Sequence, residues 1–370
     1  MSKKENIITI ILFSVFIFAG AILFWIIPDK NFSENENRKL SQMPKAELKT
    51  IASGEFMEEW EDYVSDQFPG RDMFMLCGGR YKNYLGMKDI NGVYIGKDGY
   101  LFTVIDKYSV DNEQVDKNSR YINDFLKKCQ NNESIKNTSF MLVPEAGMVI
   151  PDKLPNGVDN SWQWELVSHI RVLVDSATII CPEEAMRDAN EQQYYKTDHH
   201  WTGYGAYNAY TQYCKTLNIP CDDTVDFTVA SKEFYGSLYS KILFAEGPDE
   251  VVLDAGKNSV SITGDGKEML LYDYSALEKK DKYLLFQGGN YGITEITGTG
   301  EGVLLIIKDS YANSFVPFLT NNYEKIIMLD MRYYMGSPLA LCNKEGVTDV
   351  LVLYSLSNFV SDKNMIKLGL

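Results

Sequence analysis

Two groups of residues in this chain carry side chains fit for acid–base and nucleophilic chemistry. The first is Asp198-His199-His200-Trp201. The chain has three histidines in 370 residues, and two of them stand here beside an aspartate. Imidazole is the side chain whose ordinary pKa lies in the physiological range, so a base working near neutral pH points to this segment. The third, His169, lies in the helix-like stretch Trp164 to Ile170 and reads as a packing or surface residue. Residues two apart face the same side only where the chain is extended or looped. Thr202 is a good N-cap, and Gly203 to Leu217 carries Ala206, Tyr210, Cys214 and Leu217 on one stripe. Asn218-Ile219-Pro220 ends that helix. The spacing therefore puts Asp198 and His200 on the loop before a helix, where they can act together.

A base needs a proton donor to activate. Ser310 follows the apolar run Gly302 to Ile307 and sits at the end of a buried strand, where open α/β sheets present reactive groups. A helix with Ser314 as N-cap would put Pro317 in its first turn, where a missing N–H costs nothing. Ser310 would then occupy a sharp strand-to-helix turn. Its own N–H and a second donor, with Asn313 the candidate, would hold an oxyanion. Each feature also has an ordinary explanation. Aspartate before serine at a strand end is common turn chemistry, and Asp-x-His can be a satisfied loop pair. A metal site is the other rival, since Asp-His-His resembles the signature of the DHH phosphoesterases. That reading needs further aspartates on other strands, and neighbouring residues do not easily share one ion. No metal and no cofactor are expected.

The elements that must position these groups follow from periodicity. Short, nearly continuous apolar runs at Phe140 to Pro144, Ala177 to Pro182, Gly302 to Ile307, Lys325 to Asp330 and Val347 to Tyr354 alternate with helical stretches. That pattern means a mostly parallel sheet covered on both faces, an α/β fold. Val93 to Phe102 reads as a hairpin around Lys97-Asp98-Gly99. Helices are expected over 55–68, 71–85 and 112–130. Cys221 to Thr299 is irregular and reads as a β-rich insertion that frames a cleft.

Ile7 to Ile27 is a run of 21 uncharged residues, enough to span a bilayer core. Lys3 and Lys4 before it favour a cytoplasmic N-terminus. A cleaved signal peptide ending at Ala19-Gly20-Ala21 is the alternative; the apolar run continues past that site, which favours an anchor. Either way the rest is exported. Pro28 to Met43 reads as a polar spacer. The expected division is residues 1–28 as anchor, 29–88 as spacer and helical lead-in, and 89–370 as the α/β domain, with the insertion near 221–299. A net charge of −15 and no basic cluster argue against nucleic acid. Among six cysteines, Cys214 and Cys221 are the pair best placed for a disulfide, with free thiols the alternative.

The segment Tyr195 to Gly205 resembles the defining motif of the DHHW protein family, which is similar to alginate O-acetyltransferase proteins of the AlgX/AlgJ type with an SGNH-hydrolase-like domain. The resemblance extends to Glu36 to Leu40, Asp66 to Arg71, Gly96 to Phe102 and Lys308 to Ser310. It implies a three-layer α/β/α fold behind an N-terminal transmembrane helix. It also implies a triad with Ser310 as nucleophile, His200 as general base and Asp198 as the group orienting His200. His199, Trp201, Tyr311 and Arg332 join Asn313 as substrate or oxyanion candidates. The implied activity is acetyl transfer onto an exported or cell-surface polysaccharide through an acyl-serine, with acetyl supplied by an MBOAT-type membrane acyltransferase. An SGNH-type carbohydrate acetylesterase and a non-catalytic glycan-binding or assembly protein are the alternatives.

Overall fold

A computed structural model describes residues 3–257 and 260–369. The chain divides into two compact units, one formed by residues 1–87 and 240–244, the other by residues 88–239 and 245–370.

In the first unit a helix runs over Lys3–Ile26. It is long and apolar enough to cross a membrane. Helices follow at Leu48–Ser53, Glu55–Gln67 and Arg71–Tyr84. The polar stretch read as a spacer contains a small hairpin, Phe32–Ser33 against Arg38–Lys39. Charge ties it down: Arg38 grips the Asp66 carboxylate through two hydrogen bonds of 2.8 and 2.5 Å, and Arg71 pairs with Glu36. The guanidinium of Arg38 holds the Asp66 carboxyl down at about 2, against the opposing push of burial.

The second unit is built on an eight-stranded sheet. From edge to edge its strands are Lys267–Leu270, Ser261–Gly264, Ile293–Thr297, Lys325–Leu329, Val303–Lys308, Asp349–Ser355, Asn137–Val143 and Thr178–Ile180. The last five run parallel, and the first three join antiparallel. Alternate residues of each central strand enter different cores. Leu304, Ile306, Leu351 and Leu353 pack with Tyr210 and Tyr213 of the Gly203–Leu217 helix and Phe315 of the Ala312–Leu319 helix. Leu305, Ile307, Val350 and Val352 pack with Phe125 of the Asn112–Gln130 helix and Ile170 of the Trp162–Leu173 helix. Both faces are therefore covered, which is why these strands read as unbroken apolar runs.

The hairpin pairs Val93–Ile95 with Leu101–Thr103. Asp98 and Gly99 at its turn take positive φ of 54° and 79°, which aspartate tolerates and glycine adopts freely. Apart from residues 240–244, which belong to the first unit, the stretch 221–299 is part of this second unit. Phe227–Phe234 pairs with Asp249–Asp254, while three further strands extend the main sheet. All six cysteines are free thiols, so the expected Cys214–Cys221 pair does not form: Cys214 is buried on its helix and Cys221 lies exposed beyond it.

Candidate active site

The Asp-His-His-Trp segment is a closed loop. Tyr194 and Trp201 form an antiparallel bridge, and the N–H of Tyr195 donates to the carbonyl of His200 at 3.2 Å. Asp249 fixes the loop's interior by accepting from the N–H groups of Lys196 and Thr197 at 2.8 and 2.7 Å and from the Thr197 hydroxyl at 2.7 Å. Thr202 caps the following helix, its hydroxyl accepting from Gly205 N–H at 3.2 Å. Trp201 is fully buried, and its indole N–H donates to the Ser314 hydroxyl at 2.9 Å and the Tyr311 carbonyl at 3.1 Å. That indole joins this loop to the serine turn.

The serine turn departs from the expected one. The helix begins at Ala312, so Ser314 is not its N-cap and Pro317 lies inside it. The proline leaves the carbonyl of Asn313 without its helical donor. The side-chain amide of Gln287 fills that place at 3.3 Å. Ser314 instead holds Trp201 and the Tyr283 hydroxyl. Asp309 braces the turn: one carboxylate oxygen accepts from Tyr311 N–H, and the other from the Ser355 N–H, the Ser355 hydroxyl and the Asn358 amide, all within 2.7–3.0 Å. Ser310 is left half-buried at the C-terminal end of the Val303–Lys308 strand.

Ser310, His200 and Asp198 meet. The Ser310 Oγ lies 2.7 Å from Nε2 of His200, and Nδ1 of His200 lies 2.6 Å from Oδ1 of Asp198. Asp198 also accepts from the N–H groups of His200 and Ser237, at 2.9 and 2.7 Å. Burial pushes the Asp198 carboxyl up, but the two imidazoles and these hydrogen bonds outweigh it and hold it far below the usual carboxylate range. An ionised Asp198 accepts only, so Nδ1 of His200 carries the proton and Nε2 presents its lone pair to the serine hydroxyl. This geometry lets a hydroxyl lose its proton as it attacks.

His199 is half-buried, 2.7 Å from the Ser237 hydroxyl through Nδ1. Burial and the neighbouring His200 push it down to about 4, so it is neutral at pH 7. Asp198, His199 and His200 gather ligand-type atoms within 4.8 Å. Yet Nδ1 of each histidine and both oxygens of Asp198 are engaged in the hydrogen bonds just described, and Nε2 of His200 in that to Ser310, so the set does not converge on an open coordination point.

The other expected contacts fall differently. Tyr311 is buried and its hydroxyl donates to the His199 carbonyl, so it braces the loop. Asn313 is buried with its amide N–H₂ on the Gly289 carbonyl and Asn290, and its oxygen accepts from Lys308 at 2.8 Å. It is committed to that cluster. The backbone N–H of Ser310 donates to no acceptor among the described residues. Arg332 is partly exposed and bound to Asp330 through two hydrogen bonds of 2.8 and 2.5 Å.

Three neighbours escape the sequence reading. Tyr283 stacks on the His200 ring. Gly236 lies against Asp198, where any Cβ would meet the Asp198 Cβ at 2.2 Å. Ser237 supplies the N–H to Asp198. All three come from the stretch 221–299, which the sequence marks only as an irregular, β-rich insertion framing a cleft.

The fold and loop define a class: a parallel-sheet α/β protein with an Asp-x-His loop facing a strand-end serine. The chain belongs to the DHHW protein family, whose sequence pattern matches residues 36–163 and 92–329. It is similar to the crystal structure of a DHHW family protein from Eubacterium siraeum, at 25% identity and a TM-score of 0.61 over 74% of this chain and 98% of that one. Bacillus cereus PatB1 with a sulfonyl adduct shares the fold, at 20% identity and a TM-score of 0.60 over 75% of this chain and 97% of that one. The O-acetyltransferase domain of Pseudomonas putida AlgJ gives a weaker likeness, 14% identity and a TM-score of 0.44 over 73% and 93%. No curated protein matches the sequence.

Proposed function

We propose that this chain is a membrane-anchored O-acetyltransferase acting outside the cytoplasm on a polysaccharide. The observation that carries the reading is the 2.7 Å approach of Ser310 Oγ to His200 Nε2, with Asp198 behind the ring. Ser310 attacks the carbonyl of an acetyl ester while its proton passes to Nε2. The tetrahedral oxyanion is held by the free N–H of Ser310 and collapses, and the departing alcohol takes the proton from Nε2. An acetyl-serine remains. A sugar hydroxyl then gives its proton to Nε2, attacks the acetyl carbon and releases Ser310. Asp198 keeps the ring oriented and stabilises the transient imidazolium.

Membership of the DHHW family supports this reading, as does the Lys3–Ile26 helix, which would keep the domain beside a membrane-bound acetyl supplier of the MBOAT type. The sulfonyl adduct on PatB1 is the product expected where an activated nucleophile meets a sulfonyl reagent. The test uses the full chain in detergent with p-nitrophenyl acetate and an oligosaccharide. Acetylated oligosaccharide is the expected product. Acetate alone, at an unchanged rate with and without the sugar, makes it an esterase, and no turnover with no acylation makes it non-catalytic.

A further inference from the structure

Beside the serine turn, on the sheet face opposite the Gly203–Leu217 helix, lies a cavity of about 370 Å³. Its lining includes Asp309, the residue before Ser310, together with Arg332, Tyr354 and Asn358. A second cavity of about 450 Å³ begins at Ser361 and Lys363, which line both, and continues to Thr103, Asp106 and Asp111. Joined through Ser361 and Lys363, the two make one trough whose near end is walled by Asp309, with volume for more than one ring of a chain-like ligand.

One wall residue lacks a partner. Tyr354 is 1% exposed, and its hydroxyl makes no hydrogen bond among the described residues. The charges that bear on this hydroxyl are Asp362, Asp309, Asp330 and Arg332, three of which line the same cavity. A buried hydroxyl left unsatisfied carries a desolvation cost that a ligand partner would relieve. Asp309 accepts from Tyr311, Ser355 and Asn358 and not from Tyr354.

The charge of the trough selects the ligand. Asp309, Asp362, Asp106 and Asp111 face it, against Arg332 and Lys363. Arg332 is already neutralised by Asp330. Carboxylates thus outnumber free cations, and an anionic chain would be repelled. The Tyr354 hydroxyl and the side-chain oxygens of Asn358, Ser361 and Asn364, which can still accept, suit a ligand rich in hydroxyls. The neighbouring Tyr333 ring is 57% exposed, with the Arg332 guanidinium 5.5 Å from its centroid.

We propose that this trough is the acceptor subsite and that it takes an uncharged, hydroxyl-rich glycan segment, with a ligand hydroxyl completing Tyr354. The role as acceptor rests on the reading of Ser310 as the acyl carrier; the binding itself does not. The test is titration of the full chain in detergent with cellotetraose and, separately, tetragalacturonate, by calorimetry. Cellotetraose should bind and tetragalacturonate should bind at least about tenfold more weakly. Tyr354→Phe should weaken cellotetraose about 3- to 10-fold while leaving the melting temperature equal or higher, since it removes an unsatisfied hydroxyl. Ser361→Trp, which fills the neck between the two cavities, should abolish binding. Cellotetraose failing to bind at roughly 10 mM, equal binding of the uronate, or binding unmoved in both variants overturns the proposal. Labelling of Ser310 by a sulfonyl fluoride is followed in parallel. Glycan binding with an unreactive Ser310 defeats the proposed function and leaves the glycan site standing; a reactive Ser310 with no trough-dependent binding does the reverse.

Discussion

The imidazole of His200 lies flat on the phenol ring of Tyr283, with centroids 3.8 Å apart and planes within 7°. The hydroxyl of the same tyrosine donates to the carbonyl of Ser310 at 3.1 Å. One side chain therefore fixes the His200 ring relative to the backbone of Ser310. Tyr283 also meets the Ser314 hydroxyl at 3.1 Å, so the ring cannot swing without breaking the serine turn. It makes no hydrogen bond to Ser310 Oγ or His200 Nε2, and in the proposed reaction it acts by positioning.

Its variants should separate ring from hydroxyl. Tyr283→Phe keeps the stack and loses the two hydrogen bonds, which should slow acylation of Ser310 about 3- to 10-fold. Tyr283→Leu loses the stack as well and should cost about 100-fold, since small misplacements of a base are expensive. Single-turnover rates with p-nitrophenyl acetate read this directly, and an unchanged KM would mark the loss as one of positioning.

Gly236 gives the sharpest test of Asp198. A methyl group there would lie 2.2 Å from Cβ and 2.4 Å from Oδ2 of Asp198. Gly236→Ala should push the carboxylate off Nδ1 of His200 and reduce acylation by about 10²–10⁴, the scale on which loss of an orienting carboxylate is felt. Ser237→Ala keeps the N–H that bonds Asp198 and should cost less than about tenfold. Comparable losses in both variants would contradict this division of roles.

Lys308 carries a pH signature of its own. It is 1% exposed, with its ammonium on Asn290 and Asn313 at 2.7 and 2.8 Å and Asp330 at 3.9 Å. Burial pushes it down to about 8, with Asp330 opposing. Between that value and the ordinary 10.5 the unfolded chain binds the extra proton, so stability rises with pH across this window and is lost as pH falls through 8. The effect amounts to up to about 3 kcal/mol. Denaturant titrations of the wild type and Lys308→Met from pH 7 to 10 should show the slope in the first and its loss in the second.

Much of this arrangement was legible in the sequence because local rules agreed. Thr202 had to cap a helix, the Asp198–His200 spacing had to be looped, and the runs at 302–307 and 347–354 had to be buried strands. Asp98-Gly99 announced its turn through the φ it required. What stayed hidden was set by long-range packing. Tyr283 comes from a short 3₁₀ turn, Lys282–Leu285, in a stretch without periodicity. Pro317 misled the reading of the serine turn because its compensating donor, Gln287, lies 26 residues away from the carbonyl it serves. The tie between Arg38 and Asp66 was invisible for the same reason: a polar stretch looks like a spacer until its partner is folded against it.

Ser310 is the residue on which the proposed chemistry turns. The full chain in detergent is incubated briefly with p-nitrophenyl acetate, quenched in acid, digested and examined by mass spectrometry. One acetyl group on the peptide bearing Ser310, absent in His200→Ala and Ser310→Ala, is the predicted result. An acetyl group found elsewhere, or on Ser310 to the same extent in His200→Ala, would contradict it.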